Sequence, residues 1–207
     1  MDTKVIIENL NLMFSNPKCE LNYKNDWQLL IAILLSAQCS DKKVNSITPI
    51  LFKKFPTIES LKIADFNTLE QIIHPLGLSN NKAKSIISIA KILNEQYNNV
   101  VPNNKEKLIK LPGIGSKTAN VMLTEYFKIP AFPVDTHVSR VSKRLNICFE
   151  EDSITTIEKK LMNKFPQDQW GKLHLQMVLF GRYICKAIKP NCSSCLFKEI
   201  CKHKQKH

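Results

Sequence analysis

Residues 111–119 read LPGIGSKTA, and this stretch predicts two helices joined by a tight glycine connector. The first helix should run over about 104–110 and the second over about 116–128. Gly113 and Gly115 can adopt positive φ, and neither has a side chain that blocks a ligand. Their amides, together with the free amides that open the second helix, can face a phosphate group without reading base sequence. An ordinary helix–helix turn is the simpler interpretation of the two glycines alone.

The candidates for covalent catalysis are Lys117 and Asp135, each at the start of a predicted helix. Lys117 follows the hairpin, where the positive end of a helix dipole disfavours an ammonium and favours a nucleophilic amine. Because the chain has 27 lysines, a solvated surface position is the default for any one of them. From its own segment alone, Asp135 is favoured as an N-cap. The alternative is a carboxylate that assists proton removal from an amine and stabilises positive charge on a sugar.

Four of the seven cysteines share one short segment with the spacing C-x6-C-x2-C-x5-C. These four are Cys185, Cys192, Cys195 and Cys201. We expect the first to end a helix and the others to follow in a compact loop, where four thiolates can hold one tetrahedral metal ion or one cubane cluster. Structural zinc is the main rival, although its four-cysteine sites more often show two close pairs. Thiols without a metal are the simplest alternative. The isolated cysteines are expected in the core: Cys19, Cys39 and Cys148.

The amino-acid composition limits which binding partners and which cellular compartment we expect. The net charge of +12 in 207 residues predicts a polyanionic partner, most simply nucleic acid. A lysine-rich composition that only keeps the protein soluble is the alternative. No segment approaches the roughly 20 apolar residues of a membrane span, and residues 1–10 lack the order of a signal peptide. We therefore expect no membrane partner and a cytoplasmic protein, whose cysteines are more often thiols or metal ligands than disulfides.

Helical periodicity runs through most of the chain and predicts an all-α fold. The segment from Asp26, as a cap, to Ala37 fits one apolar helix. Breaks at prolines and glycines leave room for about ten short helices, and no run of alternating strands occurs. Another predicted helix has apolar residues at helical spacing with lysines between them. Its apolar residues are Ala83, Ile86, Ile87, Ala90 and Leu93, and its lysines are Lys82, Lys84 and Lys91.

The hairpin, Lys117, the segment 134–137 (VDTH) and the cysteine spacing occur together and in order. This combination resembles the endonuclease III family of helix-hairpin-helix DNA glycosylases, over about residues 22–204. Shorter segments match as well: 34–38 (LLSAQ), Asp41, 77–78 (GL) and 181–183 (GRY).

The resemblance implies an all-α fold of two domains. A six-helix domain is expected over residues 19–129, with the helix-hairpin-helix at about 104–128. Residues 1–18 and 130–207 are expected to form a discontinuous second domain, whose loop 185–201 holds a 4Fe-4S cluster. The implied cluster ligands are Cys185, Cys192, Cys195 and Cys201.

The resemblance also implies a bifunctional DNA glycosylase and abasic-site lyase of base-excision repair. Its substrate is double-stranded DNA that contains an oxidised pyrimidine or an abasic site, and it acts as a monomer on the bacterial nucleoid. Lys117 attacks the sugar, Asp135 assists, and β-elimination through the lysine Schiff base nicks the strand 3′ to the lesion. The implied DNA contacts are Gln38, which fills the space of the extruded nucleotide, Leu78, which wedges into the stack, and Gly113, Gly115 and Lys189.

Five positions depart from the family pattern, and four other functions remain open. Ser116 and Phe180 stand where relatives usually have an arginine and a histidine, and Ile109 stands where some have an acidic residue. Relatives can be basic at the positions of Ile188 and Asn191. One alternative is the related adenine glycosylase for mispairs, which lacks a lysine at the Lys117 position and has a further C-terminal domain. The others are a lysine-bearing glycosylase for mispaired thymine or uracil, a non-catalytic DNA-binding module with structural zinc, and an electron-transfer protein.

Overall fold

The computed structural model describes residues 2–201 and 203, and these residues contain eleven α-helices, three short 3-10 helices and no strand. The all-α prediction is therefore confirmed. Met1, Lys202 and the last four residues of the predicted second domain lie outside the described residues. The α-helices are α1 (Thr3–Met13), α2 (Asp26–Leu35), α3 (Asp41–Lys54), α4 (Ile58–Lys62), α5 (Phe66–Ile73), α6 (Ser79–Tyr97), α7 (Lys105–Leu108), α8 (Ser116–Glu125), α9 (Thr136–Arg144), α10 (Ile154–Lys164) and α11 (Trp170–Tyr183). No described helix is both long and apolar enough to cross a membrane.

The chain divides into two compact units, of which one is Cys19–Phe127. Its central element is α2, in which every residue from Trp27 to Leu35 is buried. A helix that is apolar on all sides must be covered on all sides, and α2 contacts α3, α6 and α8. The predicted cap at Asp26 is wrong, because Asn25 caps the helix and Asp26 instead accepts a hydrogen bond from the Val101 amide at 2.9 Å.

The other unit joins the residues before Cys19 to those from Lys128 onward. Its centre is the crossing of α9 and α11, where Gly181 lies against His137 so closely that an added Cβ would be 2.8 Å from the His137 Cβ. The first helix is tied to α11 by Gln176, whose amide nitrogen donates to Asn11 at 2.9 Å and to the Phe14 carbonyl at 2.8 Å. This packing fixes the ends of α9 and α11, which carry candidate site residues.

Candidate functional site

The glycine connector lies between α7 and α8, so the predicted pair of helices is confirmed, with α8 ending at Glu125 rather than Lys128. Gly113 has a φ of 78°, in the left-handed region that favours glycine. A Cβ there would lie 2.9 Å from the Ser85 hydroxyl oxygen and 3.3 Å from Leu34 Cδ1. Gly115 has a φ of −93° and does not use the positive φ that its residue type allows. The connector therefore requires glycine at position 113 for two reasons: the backbone has a left-handed conformation, and there is no room for a side chain.

Lys117 is the second residue of α8 and is exposed. No side chain of the described residues caps this helix, and its first backbone bond runs from the Ala119 amide to the Gly115 carbonyl at 3.0 Å. The amides of the first turn precede that bond, so a ligand can accept from them. The structure thus presents a lysine amine and a set of helix-opening donors on the same turn.

Asp135 is the N-cap of α9, as the sequence predicts, and its carboxylate accepts from the Val138 amide at 2.8 Å. It is half-buried and belongs to the unit that does not contain Lys117. Two residues on, burial lowers the pKa of His137, a shift that the Asp135 carboxylate opposes. The Arg140 guanidinium lies 3.2 Å from His137 Nδ1 and donates to the Gly181 carbonyl at 2.7 Å. The start of α9 is therefore held by a hydrogen-bonded network.

The predicted DNA-contact residues other than glycine share an unusual backbone conformation. Seven non-glycine residues of the described chain have positive φ, and three of them are asparagines, which tolerate it. Of the other four, three are Gln38 at 57°, Leu78 at 52° and Lys189 at 50°. All three are exposed, and Leu78 exposes 54% of its surface. Sparsely populated backbone conformations cluster at functional sites because surrounding structure must hold them there.

Lys82 is a residue that the sequence interpretation missed. The sequence pattern places it among the lysines between the apolar positions of α6, yet only 5% of it is exposed. Its ammonium donates to the carbonyls of Leu35, Ala37 and Leu76 at 2.9, 3.0 and 3.1 Å. The sequence feature that could have predicted this burial is the position of Lys82 on the helix. It lies four residues before the buried Ile86, on the same face of α6.

The four clustered cysteines line a single cavity of about 320 Å³ in the second unit. Apolar residues in its wall include Leu145, Phe180 and Phe197. Burial raises the pKa of the Cys195 thiol, and the nearby thiols raise it further. Among the described residues, no three His, Cys, Asp or Glu side chains converge closely enough to share one metal ion. The four thiols therefore line one cavity without the close convergence of a single-ion site.

Two of the chain's three arginines hold the loop that follows the first of these cysteines. Arg140 donates to the Cys185 carbonyl at 3.0 Å. Arg144 donates to the Cys185 sulfur at 3.4 Å and to the carbonyls of Lys186 at 2.7 Å and Ala187 at 3.2 Å. A guanidinium suits this task because its donors form a fixed fork.

The cysteines outside the cluster lie in different environments. Cys148 is buried, as predicted, and burial raises its pKa to about 11. Cys19 and Cys39 are only half-buried, so the prediction of core positions is wrong for these two.

Comparisons with known proteins define the class and then the family. Residues 31–167 match the HhH-GPD superfamily of base excision DNA repair proteins. Endonuclease III from Bacillus subtilis (strain 168) is 43% identical over 200 residues, which are 97% of this chain and 91% of the relative. A solved non-covalent endonuclease III–DNA complex has a TM-score of 0.94 at 42% identity and covers 98% of this chain and 96% of its own. A trapped endonuclease III–DNA covalent intermediate, an estranged-adenine complex, has a TM-score of 0.93 at 43% identity and the same coverage. The chain belongs to the endonuclease III family, which confirms the resemblance seen in the sequence.

Proposed function

We propose that this protein is a bifunctional DNA glycosylase and abasic-site lyase of base-excision repair, acting on oxidised pyrimidines in double-stranded DNA. The observation that carries the proposal is the lysine amine on the first turn of α8, directly after the glycine hairpin, in a chain 43% identical to an endonuclease III trapped as a covalent DNA intermediate. We expect it to act as a monomer on nucleoid DNA in the bacterial cytoplasm.

Binding begins at the phosphate backbone. The amides of Gly113 and Gly115, with those that open α8, are suited to donate to one phosphate, since helix N-termini favour anions. The net charge of +12 supports sequence-independent attraction to DNA. The damaged nucleotide is then flipped out of the stack, at a lower free-energy cost where its pairing is already weakened. We assign Gln38 to the vacated space and Leu78 to the stack, which agrees with their exposure and left-handed backbone.

The covalent step uses Lys117 as the nucleophile. Its amine forms a bond to the sugar C1′ while the glycosidic bond breaks and the base leaves with a proton. Asp135 takes part in removing the proton from the amine and in stabilising positive charge on the sugar. The sugar ring opens to a Schiff base, removal of a C2′ proton expels the 3′ phosphate, and water releases the enzyme. The strand is thereby nicked 3′ to the lesion.

The four thiols that line this cavity fit a 4Fe-4S cluster held by Cys185, Cys192, Cys195 and Cys201. Sulfurs that share one tetrahedral zinc ion lie only about 3.8 Å apart, given zinc–sulfur bonds of about 2.3 Å. A cavity of about 320 Å³ that all four cysteines line has room for a larger group, and apolar side chains form part of its wall. When bound, the cluster supplies four metal–thiolate bonds that cross-link the loop.

The test is to trap the Schiff base. Purified protein is incubated with a duplex that contains one oxidised thymine, borohydride is added, and a protein–DNA adduct is sought on a denaturing gel. We expect an adduct from the wild type and from Lys91→Ala, which removes an exposed lysine of α6, and none from Lys117→Ala. An adduct from Lys117→Ala would assign the nucleophile elsewhere. No adduct from folded, iron-containing wild-type protein on this lesion or on an abasic site would overturn the lyase activity.

A further inference from the structure

The buried ammonium of Lys82 connects two separate loops of the Cys19–Phe127 unit. Its three N–H groups have three acceptors, and all three are backbone carbonyls. Because an ammonium has three donors and no acceptor, these bonds satisfy it completely. Leu35 is the last residue of α2, and Leu76 is the last residue of a 3-10 helix, His74–Leu76. A cation at helix C-termini is favoured by the helix dipole and by the unpaired carbonyls of the last turn.

Two of these carbonyls lie within two residues of Gln38 or Leu78, the residues assigned to the vacated space and to the DNA stack. The Ala37 carbonyl belongs to the peptide bond that leads into Gln38, and the Leu76 carbonyl precedes Leu78 by two residues. The backbone of Lys82 also acts on this loop, since its amide donates to the Leu78 carbonyl at 3.0 Å. One side chain is thus bonded to both loops at the points where each chain turns into the left-handed conformation.

A second network holds the far side of the Leu78 loop. The Ser79 hydroxyl, directly after Leu78, donates to the Glu70 carboxylate, which also lies 3.0 Å from His74 Nδ1. The Leu78 side chain is apolar and cannot form such a bond, and Leu78 exposes more than half of its surface. Its position is therefore determined by the residues on either side of it.

We propose that Lys82 is a positioning residue that holds Gln38 and Leu78 at a fixed separation, so that both enter the DNA together when a nucleotide is extruded. This inference rests on the proposed function and goes beyond it. Lys82 is buried and its ammonium is bonded to three backbone carbonyls, so it acts through the two loops and is not a catalytic residue. Burial lowers the pKa of Lys82, so its ammonium is kept in place against a desolvation cost by the three carbonyls.

The test is a double-mutant cycle under single-turnover conditions. Lys82→Met, which keeps the length and removes the donors, is made in the wild type and in the Gln38→Ala/Leu78→Ala background. In the wild type, we expect base removal from an oxidised-thymine duplex to slow by roughly ten- to a hundredfold. In the Gln38→Ala/Leu78→Ala background, the side chains to be positioned are gone. Lys82→Met should therefore slow base removal there by less than about threefold. Nicking of a preformed abasic site should be affected less than base removal, because such a site is extruded more easily.

Lys84→Met is the matched control, since Lys84 is an exposed lysine two residues along α6, and it should match the wild type. Equal losses from Lys82→Met in both backgrounds, or wild-type rates from the folded variant, would overturn the proposal. If Lys82→Met melts below the assay temperature, Lys82→Gln, which keeps two N–H donors, takes its place in the same cycle. Inactive wild-type protein would overturn the proposed function and this inference with it, so the two failures are distinguishable.

Discussion

At the scale of single residues, Gly113 is the hairpin position where a side chain would be most damaging. Its φ is 78°, and an added Cβ would meet Ser85 at 2.9 Å and Leu34 at 3.3 Å. A left-handed conformation costs an L-residue about 1–2 kcal/mol, and the close contact adds to that cost. We therefore expect Gly113→Ala to lower the free energy of unfolding by about 2 kcal/mol or more. This loss of stability can be measured by urea unfolding, with circular dichroism as the signal.

Gly115→Ala is the control for this prediction, since nothing lies within 4 Å of its added Cβ and its φ is −93°. Two effects oppose each other there. Alanine restricts the unfolded chain, which stabilises, but it is a poorer N-cap for α8. The net change should stay within about 0.5 kcal/mol. Equal destabilisation by both substitutions would contradict the assignment of strain to Gly113 alone.

At the scale of elements, Asp135 serves α9 as a cap and is proposed to serve catalysis, and substitutions separate the two roles. Asparagine keeps the oxygen that accepts from the Val138 amide, whereas alanine removes it. We expect Asp135→Ala to cost about 1 kcal/mol of stability and Asp135→Asn about half of that, from the lost charge at the helix start. If the carboxylate also assists Lys117, base removal should fall about a hundredfold or more in both variants. Full activity in Asp135→Asn would leave only the capping role.

The helices also show how much of the structure can be predicted from the sequence. The start of α8 at Ser116 and the cap at Asp135 follow from residues that are neighbours in the chain, and both were predicted. The choice of Asn25 over Asp26 as the cap of α2 depends on a bond from the distant Val101 amide. Lys82 is a stronger case, because its burial depends on carbonyls that come from two other loops. Local pattern predicts helices and motifs, but not the partners of a side chain that tertiary packing brings together.

The candidate site likewise has some features that the sequence predicts and others that it does not. The cysteine spacing predicted that four thiols lie together, and all four line one cavity, since they belong to one short segment. The left-handed backbone at Gln38 and Leu78 was not predicted, because neither residue type favours positive φ and only surrounding contacts hold it there. The resemblance to the family assigned roles to these residues without supplying that physical reason.

At the scale of the whole molecule, the net charge of +12 should dominate binding to undamaged duplex DNA. Each phosphate neutralised by a lysine releases counterions, so the logarithm of the affinity should fall linearly with the logarithm of salt concentration. The slope reports the number of phosphates contacted, at about 0.9 per phosphate. Fluorescence anisotropy of a labelled duplex across a salt series gives this number for the wild type.

Changes in that slope can then test single positions in the loop between Cys185 and Cys192. Lys189 is exposed there with a φ of 50°, beside Ile188, which is 81% exposed. If Lys189 contacts a phosphate, Lys189→Gln should reduce the slope by about one, uniformly across DNA sequences. Ile188→Thr changes the same surface without charge and should leave the slope as it is. Ile188→Lys should raise it by about one if the loop faces the backbone. Unchanged slopes in both charge variants would place this loop away from the DNA.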